Sequence, residues 1–214
     1  MQGTTFQRTG RVARRAFTHP LEAFAYVRDL PIWRRGPIDL RLPWFSYGAI
    51  RELQRFLKPE HDVFEFGSGG STIFFAQRAR QVKTVEHDRN WLDRVQARSK
   101  SLALNNIDFR FHPLDSVTVP DYRNGSYFAE LAGAKYDLIA IDGYCGFETS
   151  RYGELRPYCF ELATQAIKPG GVVVLDDSWM FPGLLAQARP GTVREFTGLG
   201  PCRYGVTSTA LFCF

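Results

Sequence analysis

The stretch Asp62-Val-Phe-Glu-Phe-Gly-Ser-Gly-Gly-Ser-Thr72 decides the fold of this 214-residue chain. Its first five residues form a short, mostly apolar run that is typical of a buried strand, and a glycine-rich turn follows from Gly67 to Thr72. The segment from Ser71 to Arg80 is then predicted to be a helix, with Ser71 or Thr72 as its N-cap. A strand, a glycine turn and a helix in this order indicate the first βα unit of a parallel sheet.

Four more apolar runs along the chain have the length and composition of strands. They are Val82 to His87, Ile107 to His112, Tyr136 to Ile141 and Val172 to Leu175. Helices are predicted before and between the strands, at 43–57, 89–104 and 150–167, and the tail is predicted to pair 194–199 with 208–214. The sequence therefore predicts an α/β fold. It has an open, mostly parallel Rossmann-like sheet with helices on both faces and a C-terminal antiparallel hairpin.

The net charge of the chain lies near its N-terminus. Residues 1–41 hold eight Arg and three acids, a net charge of +5, whereas residues 42–214 hold 19 basic and 19 acidic residues. We therefore predict a basic N-terminal arm at 1–41 and a neutral domain at 42–214. Because Arg forks suit phosphates and carboxylates, the arm could contact an anionic substrate, a membrane surface or a nucleic acid. A solvated extension without such a contact is the other interpretation.

The composition excludes several classes of protein. With 44% hydrophobic and 23% charged residues, the chain is globular in character and not disordered. No apolar run approaches the roughly 18 residues of a membrane-spanning helix. The four Cys lack metal-finger spacing, which favours reduced thiols in a cytoplasmic protein. The neutral domain has no Lys-rich patch, which argues against nucleic acid as a partner.

Acidic residues or glycines follow every predicted parallel strand. The segments at these strand ends are 65–70, 86–88, 114–116, 142–144 and 176–178. In an open parallel sheet, ligands bind outside the carboxyl ends of the strands. Glu86 lies at the end of the second strand, where a carboxylate can accept both hydroxyl groups of a ribose. Two ligand classes fit this pattern: a dinucleotide, or an adenosyl nucleoside without phosphates.

Two observations separate these ligand classes. The dinucleotide fingerprint needs a third glycine at the position of Thr72. The acids Glu65, Glu86, Asp115 and Asp142 would also repel a pyrophosphate, whereas a positively charged sulfonium tolerates them. The electrostatics therefore favour a sulfonium nucleoside.

Four segments together resemble the successive motifs of class I S-adenosylmethionine (SAM)-dependent methyltransferases. These segments are 63–72, 84–88, 136–143 and 168–177, and the resemblance covers residues 43 to 214. It implies SAM as the cofactor and transfer of its methyl group to an acceptor.

The resemblance also implies roles for single residues. Glu65, Gly67 and Gly69 would frame the methionine end of SAM, with Ser68 and Ser71 as further contacts of the same loop. Many members of the family have a glycine where this chain has Ser71. The other implied contacts are Glu86 on the ribose, His87 beside it, Asp115 and Ser116 near the adenine, and Asp142 at the methyl-transfer site.

Methyl transfer requires alignment of the acceptor, exclusion of water and removal of a proton from a hydroxyl or amine. Asp142 and Asp176 are the predicted catalytic residues, with Asp142 orienting the acceptor or serving as its base. Asp142, Asp176 and Asp177 also resemble the Mg²⁺ ligands of catechol-type O-methyltransferases. Those enzymes have a Lys where this chain has Cys145, and Asp-Asn where it has Asp-Asp, so we predict a metal-independent enzyme.

The expected function is methylation of an oxygen or nitrogen on a small-molecule or glycan-like acceptor, with an anionic acceptor as one option. The alternative is a non-catalytic nucleoside-binding module whose basic arm holds an anionic partner such as RNA. The presence of both Glu86 and Asp142 favours the enzyme, since a binding module has no need of the pair. No pattern indicates the oligomeric state.

Overall fold

The computed structural model of the protein describes residues 5–30, 36–113, 125–143, 155–189 and 191–214. Seven strands in this part of the chain form one sheet. They are β1 (Asp62–Phe66), β2 (Gln81–Glu86), β3 (Ile107–Phe111), β4 (Tyr136–Ile141), β5 (Ile167–Asp176), β6 (Val193–Leu199) and β7 (Val206–Cys213). Their order across the sheet is β3-β2-β1-β4-β5-β7-β6.

The sheet is parallel from β3 to β5, and β7 is antiparallel to both β5 and β6. This arrangement confirms the predicted α/β class with its C-terminal antiparallel hairpin. The strand order reverses between β1 and β4, because β2 and β3 lie on one side of β1 while β4 and β5 lie on the other. In open α/β sheets such a reversal marks the crevice where ligands bind.

The helices cover both faces of the sheet. They are α1 (Thr5–Thr18), α2 (Pro20–Arg28), α3 (Pro37–Leu40), α4 (Tyr47–Phe56), α5 (Gly70–Ala76), α6 (Arg89–Ser101), α7 (Ser126–Ala129), α8 (Leu155–Ala166) and α9 (Pro182–Gln187). Among the described residues, no helix has both the length and the apolar character needed to cross a membrane.

Alternate residues along each central strand belong to two different cores. Phe64 and Phe66 of β1 pack in the cluster that includes α7 and α8. Val63, which directly precedes Phe64, packs in the cluster that includes α4 and α5. This alternation follows from the two-residue period of a strand, which sends successive side chains to opposite faces. The sheet is therefore buried on both sides, as its nearly continuous apolar runs predict.

Several element boundaries differ from the predicted ones, and three of them differ by four or five residues. The helix predicted from residue 43 begins at Tyr47, because the Ser46 hydroxyl accepts a hydrogen bond from the N–H of Ala49 and caps it. The helix predicted to reach Arg80 ends at Ala76, just before β2. Strand β5 begins at Ile167 instead of Val172. Ile167 pairs with Tyr136 of β4, the register then shifts over residues 168–171, and regular pairing resumes between Val172 and Leu138.

The described residues of the basic arm pack against the hairpin edge of the sheet. Glu22 of α2 is buried, and its carboxylate accepts hydrogen bonds from the backbone N–H of Leu199 in β6 and from Arg15. Tyr26 is buried in the same core cluster as α4 and α5. The division at residue 41 stays a prediction, and these contacts show that the described part of the arm folds onto the sheet.

Candidate functional site

The backbone turns after β1 and β4 meet at the point where the strand order reverses. The N–H of Asp142 donates to the carbonyl of Phe66 at 3.1 Å. A Cβ atom on Gly67 would lie 2.6 Å from the Cα of Gly143, and Gly67 has a φ of +88°. Both facts require glycine at position 67, since a side chain would be strained and would strike rigid backbone. The floor of the crevice is therefore bare main chain that a ligand can approach closely.

The loop after β1 is held by the hydroxyl of Thr72. This hydroxyl accepts from the N–H of Gly69 at 2.9 Å and donates to Glu65 Oε2 at 2.6 Å. Helix α5 therefore starts one residue after an N-cap at Gly69, and the predicted N-cap at Ser71 or Thr72 is wrong. Thr72 is instead the third helical residue, where its side chain reaches back to the cap as in a capping box. Ser71 is buried in the first turn.

Glu65 lies beneath this loop and is completely buried. Its Oε2 atom accepts from Thr72, whereas its Oε1 atom has no hydrogen-bond partner among the described residues. Burial raises the pKa of this carboxyl group to about 8, although the neighbouring hydroxyl groups partly oppose the rise. An unpartnered buried acceptor is costly, so it suits a site where a positive charge can arrive from outside the chain.

Glu86 ties the end of β2 to the β1 loop. Its Oε2 atom accepts from the N–H and the hydroxyl of Ser68, at 2.8 and 2.9 Å. Its Oε1 atom accepts from the N–H groups of His87 and Asp88, at 2.7 and 3.0 Å. Burial opposes ionisation, but the side chain of His87 and these backbone donors lower the pKa of Glu86. The carboxylate that was predicted to hold a ribose thus already accepts four hydrogen bonds, and its Oε1 atom also lies 2.8 Å from His87 Nδ1, so it is close to its full capacity.

Trp91 is a residue of this site that the sequence analysis missed. Its indole N–H donates to the carbonyl of Ser68 at 2.6 Å. Asp88 accepts from the N–H of Trp91 at 3.0 Å and so caps α6, which fixes the indole over the loop. The available signal was an Asp three residues before a Trp at a predicted helix start, which is too common to indicate a site.

Asp142 follows β4 and is paired with Arg156 of α8. The distance between Arg156 Nη2 and Asp142 Oδ1 is 3.3 Å, and the two side chains are 3% and 23% exposed. Burial raises the pKa of Asp142, while the positive charges of Arg156 and Arg203 oppose the rise. Arg156 also donates to the backbone carbonyls of Gly143 and Asp176, at 2.6 and 2.7 Å. One buried guanidinium therefore joins the ends of β4 and β5 beside a carboxylate that solvent can reach.

Asp176 and Asp177, at the end of β5, share the guanidinium of Arg203. Arg203 lies 2.9 Å from Asp177 Oδ1 and 3.4 Å from Asp176 Oδ2. Asp176 is completely buried and also accepts from Thr209 at 2.8 Å, and burial raises its pKa to about 7. Burial would likewise raise the pKa of Asp177, but the charge of Arg203 outweighs it and lowers that pKa.

These ion pairs bear on the hypothetical Mg²⁺ site at Asp142, Asp176 and Asp177. Each acid has a guanidinium from α8 or from the β6–β7 loop against its oxygens. In the described part of the chain, no three His, Cys, Asp or Glu side chains are grouped as metal ligands. The donor set therefore does not fit a divalent cation, because Arg203 and Arg156 supply positive charge at the same oxygens.

The two arginines were not predicted as site residues. Arg203 is the only charged residue after Glu195, so a lone cation in an otherwise uncharged tail was the available signal. Arg156 offered no such signal, because it lies in an ordinary helical stretch. Asp115, Ser116 and Cys145 lie outside the described residues. Of the other predicted contacts, the structure brings Glu65, Gly67, Ser68, Gly69, Ser71, Glu86, His87 and Asp142 together around one crevice.

Comparison with solved structures identifies proteins of the same fold. A Streptococcus mutans protein assigned as a methyltransferase, in complex with SAH, matches with a TM-score of 0.57 and 10% identity, over 84% of this chain and 99% of that one. An rRNA methylase from Streptococcus thermophilus matches with a TM-score of 0.55 and 12% identity, over 84% and 98% of the two chains. The O-methyltransferase TomG from Streptomyces achromogenes, in complex with SAM, has a TM-score of 0.55 and 16% identity, over 96% and 98%.

No family model matches the chain, and no curated protein matches it in sequence. The likeness is therefore one of fold, and it confirms the predicted Rossmann-like α/β fold.

Proposed function

We propose that the protein is a SAM-dependent methyltransferase. One observation carries this proposal: the glycine loop with Glu65, the carboxylate of Glu86 and the carboxylate of Asp142 all stand at the carboxyl ends of three adjacent strands. These ends surround the point where the strand order reverses, which is where open α/β sheets bind nucleotides. Proteins of this fold have been solved with SAH or SAM in place.

The residues of the crevice fit this cofactor. Gly67 and Gly143 leave main chain exposed to close approach, and Glu65 offers a buried acceptor oxygen that lacks a partner among the described residues. A bound SAM supplies a methyl group activated by a positively charged sulfonium. The positive charge of a SAM molecule bound above the loop would favour the ionised form of Glu65. Glu65 would thus attract the cofactor by its charge without touching it, because the loop lies between them.

Glu86 can hold a ribose only if it gives up part of its present bonding. The Ser68 hydroxyl is the donor that can leave at least cost, because rotation about a single side-chain bond moves it. The three backbone N–H donors to the carboxylate would stay in place. In this proposal Ser68 keeps Glu86 oriented and ionised until the ribose hydroxyls replace its Oγ.

Asp142 is the proposed catalytic residue. Its carboxylate is partly exposed, and Arg156 holds it from the buried side. An acceptor hydroxyl or amine that reaches Asp142 could be oriented by it and could transfer its proton to it as the methyl group is received. Asp176 is completely buried and bonded to Thr209 and Arg203, so we assign it a positioning function and not contact with the acceptor.

We favour a small-molecule acceptor over a nucleic acid. The two cations in the described part of the crevice, Arg156 and Arg203, are already neutralised by Asp142, Asp176 and Asp177. A phosphate backbone would therefore compete with these acids for both cations. Trp44 and Trp179 lie beside the same Arg203 cluster: the Arg203 guanidinium is 6.0 Å from the Trp44 ring, and the Trp179 indole donates to Asp177. Such an edge suits a planar or apolar acceptor.

The experiment is calorimetric titration of SAH into the wild-type chain and the variants Glu86→Ala, Ser68→Ala and Asp93→Ala. We expect the wild type to bind SAH, and binding at 100 times Kd should raise Tm by roughly 5–10 °C. Glu86→Ala should weaken binding at least about tenfold, because it removes the ribose acceptor. Ser68→Ala should bind about as tightly as the wild type or more tightly. Asp93→Ala removes an exposed acid of α6 and is the charge control.

Two results would contradict the proposal. A wild-type chain that binds NAD but not SAH would assign the crevice to a dinucleotide. If Ser68→Ala and Glu86→Ala weaken binding equally, the pair only shapes the loop, and Glu86 is not a ribose ligand.

A further inference from the structure

Exposed apolar side chains are concentrated on the surface of α1 and α2. Among the described residues, seven large hydrophobic side chains are exposed, and Phe17, Leu21, Phe24 and Val27 are four of them, at 89, 86, 73 and 56%. We call these four residues the apolar stripe. Leu21, Phe24 and Val27 recur every three residues along one face of α2, and Glu22 and Tyr26 are buried on the other face. Scattered exposed apolar residues are normal, but a cluster of this kind marks an interaction surface.

The charges around the apolar stripe are positive. Arg8 and Arg14 of α1 are exposed. Arg14 precedes Phe17 by three residues and lies on the same side of the helix, whereas Arg8, nine residues before Phe17, lies on the opposite side. The acids between residues 5 and 30 are Glu22 and Asp29, and each is only 3% exposed. Because both acids point inward and are paired with Arg15 and Arg28, they do not neutralise the outer face. This surface therefore presents apolar and cationic side chains together.

A groove between α2 and α4 adjoins the apolar stripe. Its volume is about 630 Å³, and Leu21 belongs to both the groove and the stripe. Ala25, Leu42 and Ile50 add apolar surface to the groove, and Arg28 and Arg51 are among its charged residues. An apolar cleft with cations beside it matches the chemistry of an amphiphile that has an acyl chain and an anionic head.

We propose that this surface docks on an anionic lipid bilayer. The apolar stripe would enter the boundary between head groups and acyl chains, and Arg14 would face the lipid phosphates. A second copy of the chain is a poorer fit, because a symmetric contact through the stripe would bring the same arginines of both copies together. RNA is also a poorer fit: Phe17 and Phe24 could stack on bases, but Leu21 and Val27 of the same stripe cannot.

The docking surface is connected to the candidate crevice. The carbonyl of Asp29, at the end of α2, accepts from the N–H of Cys202 at 3.0 Å. The hydroxyl of Tyr26 accepts from the N–H of Gly205 at 3.4 Å. The loop held by these two bonds carries Arg203, so α2 links the docking surface on its outer side to the ion pairs at the end of β5 on its inner side.

The test is flotation of the full chain with lipid vesicles. One set of vesicles contains phosphatidylcholine alone, and the other contains equal parts of phosphatidylcholine and phosphatidylglycerol. We expect the chain to float with the anionic vesicles only. The double variant Leu21→Ser/Phe24→Ser should weaken partitioning at least about tenfold, because it removes two large apolar side chains from the contact. Arg14→Ser should weaken binding and reduce its dependence on salt.

Matched controls separate the docking surface from general effects. Phe214→Ser removes an exposed aromatic side chain from the end of β7, and Lys58→Ser/Lys100→Ser removes two exposed cations elsewhere. Both should bind vesicles like the wild type, and thermal unfolding of the stripe variant should be unchanged because its side chains are exposed. The proposal is overturned if the wild type ignores both vesicle types or if Leu21→Ser/Phe24→Ser binds normally. It is also overturned if that variant instead dissociates a dimer or releases RNA.

Discussion

Replacing Glu65 by glutamine should stabilise the folded chain above neutral pH and change little in acid. Glu65 is completely buried, with a pKa raised by burial to about 8 from the ordinary value of 4.5. Between these two values the folded state keeps a proton that the unfolded chain has lost. The stability due to the protonated group is therefore complete below the unfolded pKa and is lost as pH rises through the folded pKa.

The size of the effect follows from these two pKa values. Each pH unit between them changes the unfolding free energy by about 1.4 kcal/mol, so ionising Glu65 in the folded chain costs about 5 kcal/mol above pH 8. That amount is a large share of the stability of a typical domain. Glutamine stays neutral at every pH, and its amide oxygen can still accept the hydrogen bond from Thr72. The cost of ionisation should therefore be absent in the variant.

The measurement is urea unfolding of the wild type, Glu65→Gln and Glu60→Gln between about pH 5 and pH 9. Glu60 is exposed and serves as the control for loss of one carboxyl group. Asp176, whose pKa is also raised, contributes the same slope to all three proteins and cancels in the differences. Glu65→Gln should lose less stability than the other two as pH rises. Parallel curves for all three proteins would show that Glu65 is not a buried, protonated carboxyl group in the folded state.

Two further outcomes test the ion pairs of the crevice. Arg203→Met should lower the unfolding free energy by about 3–5 kcal/mol in urea, because it leaves Asp176 and Asp177 without their cation. The exposed ion pair between Arg194 and Glu52 should contribute at most about 1 kcal/mol to the unfolding free energy. If Arg194→Met lowers the unfolding free energy as much as Arg203→Met does, burial of the Arg203 cluster does not explain the loss. Asp142→Asn should bind SAH within about threefold of the wild type while losing transfer of a radiolabelled methyl group from SAM into a small-metabolite extract. Full activity in Asp142→Asn would contradict the proposed base. Labelling of total RNA by the wild type, without labelling of small metabolites, would contradict the proposed small-molecule acceptor.

Much of the architecture could be predicted from the sequence because it is encoded locally. The bounds of β1 and β4 coincide with the apolar runs at 62–66 and 136–141, since turn residues end both runs. The position of the crevice could also be predicted from the sequence, because the carboxyl ends of parallel strands share one edge of the sheet. Gly67 was predicted to lie in the glycine-rich turn after the first strand, and its left-handed φ and its contact with Gly143 explain why glycine stands there.

The partners of the charged residues were decided only by the tertiary structure. Glu86 was predicted as an open ribose acceptor, yet Ser68, 18 residues earlier, occupies one of its oxygens. Arg203 reaches Asp177 across 26 residues of chain and neutralises the acids of the hypothetical metal site. Periodicity and turn chemistry describe neighbours along the chain. The neutralisation of a buried charge depends on which distant side chain the fold brings within a few ångströms, and no local pattern records that distance.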